Sequence, residues 1–547
     1  MLFRSLPPWN FPLAIPAGGT LAALMAGNAV VLKPAPETTW VAWELAKVLW
    51  DAGVPPEALS FVPCAEEPTG ARLLRDERLD AVVLTGASTT ARWLRALRPE
   101  LPVFAETGGK NAMIVTAMAD RDLAIDAVMR SAFSHAGQKC SAASQLVCEA
   151  EVYDDRGFMD RLRDAAASLP TGSAWDLSTR VPPLIRPPDG PLERALTSLE
   201  TGERWLLEPR RDADNPCLVT PAIRADVAPG SASHRVELFG PVLSVLRARD
   251  LDDALRIANG TDYGLTAGLC SLDLREHARF EEAMEAGNLY INRSTVGAIV
   301  RRQPFGGRKA SSFGPGAKAG GPNYVAQLVR WSEGETAAGG AKHAEPGRVQ
   351  PLGALAASVR TSLNALLGWL GDLDARSSLS KSAASYAWWW ERYFMREHDP
   401  SMVLGERNVF RYRPREVVHA WAGVDSAALD IARVIIAAKT CRVRLELAHA
   451  PRAPLRFPAL ASVESVSAGE LHVALAERRV KTLLVLGRET PALRAEAASG
   501  GVWYDATPPH PDGRVELLRY LREQSVCAEL HRYGHLPDTA AEPPEGL

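Results

Sequence analysis

Ala29–Ser88 reads AVVLKPAPETTWVAWELAKVLWDAGVPPEALSFVPCAEEPTGARLLRDERLDAVVLTGAS, and this stretch decides the fold. Three short apolar runs, Ala29–Leu32, Leu59–Val62 and Ala81–Leu84, alternate with helical patterns at Thr39–Ala52 and near Thr69–Arg75. Buried runs of four or five residues separated by helices are the mark of βαβ units with a parallel sheet. The expected fold class is therefore α/β. Upstream, Leu13–Leu32 carries no charge, but Pro16, Gly18, Gly19, Gly27 and Asn28 interrupt it. It reads as a buried helix running into the strand Ala29–Leu32, not as a membrane span or signal peptide. Met1 is followed almost at once by a Pro8-Trp9-Asn10 loop, with no strand expected before it, so the front of this first sheet is expected to be missing.

Downstream, a second α/β stretch runs from about Asn111 to Gln303. Glu333–Gly347 (EGETAAGGAKHAEPG) has no periodicity and reads as a linker. Helices are expected at Ser358–Leu370 and Ser385–Arg396, then a third α/β stretch. The Trp388-Trp389-Trp390 run cannot place all three indoles against one core if successive residues turn by about 100°. At least one is expected to meet another domain or subunit.

Composition narrows the function. The 547 residues are 46% hydrophobic and 23% charged, with a net charge of −3, which is no footprint for nucleic acid or an anionic membrane. Seven scattered cysteines without a CxxC pair point to a reducing, cytoplasmic setting and leave room for one functional thiol. Taken alone, Cys140 reads as a buried structural cysteine, Asn10 as a turn residue between two prolines, and Glu106 as a solvated loop acid.

The company they keep changes the reading. Pro8-Trp9-Asn10-Phe11-Pro12, Lys33-Pro34-Ala35, Ala105-Glu106-Thr107-Gly108-Gly109-Lys110-Asn111, Gly137-Gln138-Lys139-Cys140-Ser141-Ala142 and Glu237-Leu238-Phe239-Gly240-Pro241 occur in that order. They resemble the aldehyde dehydrogenase superfamily over roughly residues 5 to 332. The resemblance implies Cys140 as the thiolate nucleophile, its pKa lowered by helix dipoles and cofactor charge. It makes Asn10 the oxyanion donor, a group whose loss costs about 3 kcal/mol of transition-state stabilisation, and Glu106 the base that activates water. It implies NAD as cofactor, with Thr85-Gly86-Ala87-Ser88 opening a helix at the pyrophosphate, where Gly86 and Ser88 would serve. Lys33 would reach the adenosine ribose, Glu237 the nicotinamide ribose, and Phe239 the nicotinamide ring. Pro36 stands where the family often has a carboxylate, with Glu37 next, so NAD over NADP is a preference.

Thr107, Ser141 and Lys318-Ala319-Gly320-Gly321-Pro322 resemble the branch that oxidises L-glutamate γ-semialdehyde, the open form of 1-pyrroline-5-carboxylate. Ser141 and the backbone amides of Gly320 and Gly321 would anchor the amino-acid end of that substrate; alone, the glycines read as a return turn. Phe313 departs from the family's small-residue run at that loop. Gly405–Pro414 and Leu518–Ser525, followed by His531-Arg532-Tyr533-Gly534, resemble the C-terminal region of long proline utilization A flavoenzymes. There an FAD-containing proline dehydrogenase barrel, expected to lie outside this chain, precedes the dehydrogenase.

The implied architecture is a truncated Rossmann NAD domain (1–107), a catalytic domain (108–310), a substrate-anchor and return segment (311–332), a linker (333–350), a degenerate, catalytically silent aldehyde dehydrogenase-like domain (351–536) and a disordered tail (537–547). A small-molecule substrate, no metal, no transmembrane segment and a homo-oligomer are expected. Oxidation of another aldehyde, or survival as an inactive interaction or oligomerisation module, stay open at this point.

Overall fold

The computed structural model describes residues 1–332, 351–450 and 457–531; the expected linker and tail lie outside them. The first sheet has six strands in the order Ser312–Phe313, Val103–Glu106, Ala81–Thr85, Leu2–Leu6, Ala29–Leu32, Leu59–Phe61. All neighbours are parallel except Ser312–Phe313, which returns antiparallel on Val103–Glu106. One expectation is corrected here. Leu2–Leu6 is a strand, and it lies in the middle of the sheet between Ala29–Leu32 and Ala81–Thr85. Arg4 and Ser5 conceal it from an apolar-run search. Both are nonetheless buried, and the Arg4 guanidinium donates to the Gly70 carbonyl at 2.7 Å, which offsets its desolvation. The helix Ala14–Met25 covers the sheet through Gly19, Ala22 and Ala23, with Pro16 tolerated in its first turn.

The second sheet has nine strands, ordered Glu406–Pro414, Leu521–Glu529, Asn288–Ile291, Thr266–Cys270, Asn111–Val115, Ala143–Glu149, Val242–Ala248, Ala222–Ala225, Arg204–Leu207. Two of its strands come from beyond residue 351. Leu521–Glu529 runs parallel to Asn288–Ile291 and pairs along its whole length with Glu406–Pro414. Val409, Val526 and Ala528 share a core with Leu289 and Ile291. The C-terminal region is thus stitched into the central sheet, which satisfies the backbone groups of an otherwise open edge.

A third, all-parallel sheet is ordered Val463–Val466, Arg444–His449, Val417–Ala422, Thr482–Leu486, Trp503–Asp505. In chain order this is third-second-first-fourth-fifth, the order of the five parallel strands of the first sheet. Its switch point is filled. A Cβ on Gly423 would lie 2.2 Å from the Arg488 carbonyl oxygen, and one on Gly487 would lie 2.6 Å from Asp425 Oδ1.

The tryptophan run also departs from expectation: Trp389 and Trp390 are buried and Trp388 packs against the same core. The helix Leu373–Trp389 is enclosed by neighbours and passes into a wider turn at Trp390–Phe394, which re-aims the third indole.

Candidate active site

The helix Arg121–Phe133 gives way to a loop in which His135, Ala136 and Gly137 all adopt positive φ. Gly137 is required there, because a Cβ would lie 2.2 Å from the Gly240 carbonyl oxygen. The loop delivers Cys140, whose backbone is clamped from three sides. Asn111 Nδ2 donates to the carbonyls of Cys140 (2.6 Å) and Ala142 (2.8 Å), while its Oδ1 accepts from the Thr266 N–H at 3.0 Å. Thr266 and Thr295 hydroxyls both donate to the Ser141 carbonyl, at 3.2 and 2.9 Å. The thiol is therefore held in place before any substrate arrives.

The expected lowering rests partly on cofactor charge; the protein's own groups act the other way. Burial, and then the nearby Glu237 and Glu106 carboxylates, push the Cys140 thiol up to about 12. Backbone N–H groups at Ser141 and Cys140 pull it downward by less.

Glu106 ends the strand Val103–Glu106. Its Oε2 accepts from the Gly307 N–H at 2.7 Å and its Oε1 from the Ser312 hydroxyl at 3.0 Å. Burial raises its pKa well above the usual carboxylate range, against the pull of the Gly307 N–H, Lys318 and Ser312. Behind it lies a buried chain of charges. Lys318 Nζ donates to Asn288 Oδ1 (2.9 Å) and to the Gly306 carbonyl, and its backbone N–H donates to Glu523 Oε2 at 2.7 Å. The other Glu523 oxygen accepts from Asn323 Nδ2 at 2.6 Å. Burial lowers the Lys318 pKa and raises that of Glu523. Asn10 is buried beside the thiol loop, one amide N–H donating to the Gln138 carbonyl at 3.0 Å, which leaves the second for a ligand.

Asn10, Glu106 and Cys140 line one cavity of about 640 Å³, together with Lys33, Gly86, Glu237 and Phe239. The helix Ser88–Leu97 opens onto it behind an extended Ala87 with no side-chain cap, so its first N–H groups stay free for an anion. Glu237 accepts from the Gly109 N–H at 2.8 Å and is pushed up to about 7 by burial. A Cβ on Gly108 would lie 1.9 Å from its Oε2. Phe239, at φ 53°, meets the edge of Trp9 with ring centroids 5.8 Å apart. Glu37 also faces this cavity and is ion-paired with Arg186.

Thr107 also lines this cavity, whereas Ser88, Ser141, Gly320 and Gly321 do not. The Ser88 hydroxyl donates to the Ala310 carbonyl at 3.3 Å, and that of Thr107 to the same carbonyl at 2.6 Å. The Gly321 N–H closes a turn on the Lys318 carbonyl at 3.0 Å, and Gly320, at φ +73°, faces Val300. Phe313 lies in the antiparallel strand on Val103–Glu106, under the guanidinium of Arg95 at 5.9 Å. Reading the sequence missed Asn111 as the clamp, Lys318 and Glu523 as the charges behind Glu106, and Arg186 as the partner of Glu37. For Asn111 and Lys318 the signal was present inside quoted motifs; Glu523 and Arg186 have no local signature. Among the described residues no helix is long and apolar enough to cross a membrane, and no His/Cys/Asp/Glu group suits a metal.

Comparison with known proteins bears on this geometry. The sequence model described as "Aldehyde dehydrogenase family" matches residues 3–332. A 1-pyrroline-5-carboxylate dehydrogenase of Geobacillus thermodenitrificans is 38% identical over 334 residues, covering 58% of this chain and 63% of that protein. A 1-pyrroline-5-carboxylate dehydrogenase 2 of Bacillus subtilis is 35% identical over 332 residues, covering 59% and 63%. This chain thus spans less than two thirds of the length of these relatives. Among solved structures, proline utilization A from Corynebacterium freiburgense superposes with a TM-score of 0.83 at 38% identity, covering 98% of this chain and 50% of that one. A Thermus 1-pyrroline-5-carboxylate dehydrogenase with bound NAD gives a TM-score of 0.55 at 32% identity, covering 60% and 64%.

Proposed function

Since the chain belongs to the aldehyde dehydrogenase family, we propose that it oxidises L-glutamate γ-semialdehyde to L-glutamate, with Cys140 as nucleophile and NAD as acceptor. The observation that carries this reading is the single cavity joining Cys140, Asn10 and Glu106 to Lys33 and the uncapped helix at Ser88. The names of the relatives support the choice of substrate.

The residues divide the work as follows. The Cys140 sulfur bonds to the aldehyde carbon, and its proton passes to a neighbouring carboxylate, for which the raised pKa values of Glu106 and Glu237 suit them. The free N–H of Asn10 and the Cys140 backbone N–H steady the alkoxide of the thiohemiacetal. NAD, when bound, supplies a hydride acceptor; Lys33, the N–H groups at the start of Ser88–Leu97, Glu237 and Phe239 would hold it. Any proton Glu106 took from the thiol passes to solvent. The ionised carboxylate then takes a proton from water as the water oxygen attacks the thioester carbon, and the Cys140 thiolate leaves as glutamate is released.

The test is Cys140→Ala in the intact chain, with NADH absorbance followed in the presence of glutamate γ-semialdehyde. NADH formation is expected to fall to the uncatalysed rate while the circular dichroism spectrum is unchanged. Turnover retained in this variant removes Cys140 from the mechanism. Turnover of propanal equal to that of glutamate γ-semialdehyde in the parent rejects the substrate assignment.

A further inference from the structure

A second cavity, of about 1110 Å³, lies behind the groups that hold Glu106: Gly307 and Ser312 line it, and they also donate to the Glu106 carboxylate. Its walls come from the first sheet, the catalytic region and the C-terminal region, and basic side chains outnumber acidic ones in them. Arg308 in the strand Arg308–Lys309, Arg415 just after Glu406–Pro414, and Arg522 in Leu521–Glu529 all face it. None of the three has a carboxylate in ion-pair contact among the described residues.

Of the acids in this wall, Asp262 makes no ion pair with the three arginines among the described residues, and the other three are committed or out of contact. Glu285 pairs with Lys309 at 2.6 Å, and Glu523 accepts from the Lys318 N–H and from Asn323. Glu416 is exposed and acts on Arg308 and Arg522 only at longer range. Among the described residues, Arg415 is held by a single hydrogen bond from Nη2 to the Pro315 carbonyl at 3.2 Å, while its Nε is buried with no hydrogen-bond partner. Burial together with mutual repulsion lowers Arg415 to about 9 and Arg308 to about 10, so both stay cationic at neutral pH. Three like charges brought together while partly buried are costly unless an opposite charge sits among them. Guanidinium forks match the paired oxygens of carboxylate and phosphate groups. Arg95 and Lys309, also in this wall, are already spent on the Val502 and Asn259 carbonyls.

We propose that Arg308, Arg415 and Arg522 form a binding site for a small oxyanion carrying at least two negative charges, separate from the cavity that holds Cys140. Pyrophosphate and glutarate serve as probes for its two sources, a phosphorylated molecule or a dicarboxylate. Each is titrated calorimetrically into the intact chain at constant ionic strength. Saturable binding of at least one probe is expected with a Kd below about 1 mM. In Arg415→Gln/Arg522→Gln that binding is expected to weaken by at least about tenfold, and in Lys33→Ala, which alters only the Cys140 cavity, to stay as in the parent. The probe that binds more tightly names the source. Should the double variant fail to fold, Arg522→Lys keeps the charge but loses the fork, and is expected to weaken binding several-fold. No saturable binding of either probe, equal affinity in the arginine variants, or loss of binding in Lys33→Ala would each overturn the proposal.

Discussion

At the scale of single residues, the thiol is surrounded by negative charge. Glu237 is the larger electrostatic burden on Cys140 and Glu106 the smaller, after burial itself. Each stabilises the protonated thiol, so removing either charge must lower the thiol pKa. Glu237→Gln is therefore expected to speed alkylation of Cys140 by iodoacetamide several-fold at pH 8, with a smaller gain for Glu106→Gln, read by mass spectrometry of the Cys140 peptide. A slower reaction in Glu237→Gln would show that this carboxylate acts on the thiol in another way. The chemistry-bearing residues were legible in the sequence because each sits in a short local pattern: Cys140 within Gly137–Ala142, Glu106 before Gly108-Gly109, Asn10 between prolines. The sign of the thiol's shift was not legible. It depends on where the Glu237 side chain turns, and that is set by the Gly109 N–H and the missing Cβ of Gly108.

At the scale of elements, the strand Leu521–Glu529 carries both stability and control. Glu523 adds negative charge near Glu106 and raises its pKa, whereas Lys318 adds positive charge and lowers it. The base works only when ionised, so thioester hydrolysis falls as pH drops through the Glu106 pKa. Glu523→Gln is expected to move the acid limb of that profile to lower pH, and Lys318→Met to higher pH, as read by single-turnover deacylation. Shifts of the same sign in both variants would contradict the charge chain. The same strand donates from the Ser525 N–H to the Gly287 carbonyl (3.0 Å) and from its hydroxyl to the Pro304 carbonyl (2.6 Å). Ser525→Pro removes both in the middle of a sheet and is expected to cost about 3 kcal/mol or more in urea unfolding. Helices and most parallel strands of the first sheet followed from apolar periodicity. Leu2–Leu6 did not, because Arg4 and Ser5 are buried by a distant carbonyl and neighbouring strands that no local window contains. The joining of Leu521–Glu529 to Asn288–Ile291 was hidden for the same reason: pairing between remote segments leaves no mark in either alone.

At the scale of the whole molecule, the five parallel strands of the first sheet and the five of the third share one order, yet their switch points differ. In open α/β sheets a ligand sits where the strand order reverses, against the start of a helix. In the first sheet that place is the cavity beyond Gly86, where an added Cβ would meet only Leu84, at 3.5 Å, and the helix at Ser88 has no side-chain cap. In the third sheet the corresponding place holds the Arg488 backbone and the Asp425 carboxylate, which accepts from the Arg488 N–H. A carboxylate there repels a pyrophosphate, and the close approach at Gly423 leaves no room for one. Equal strand order therefore does not imply equal ligand capacity. One NAD per chain is expected in equilibrium dialysis, and Lys33→Ala, which touches only the first site, is expected to weaken that single event by about tenfold or more. Two equivalents per chain, or a stoichiometry that survives Lys33→Ala with undiminished affinity, would place dinucleotide binding in the third sheet despite its filled crevice.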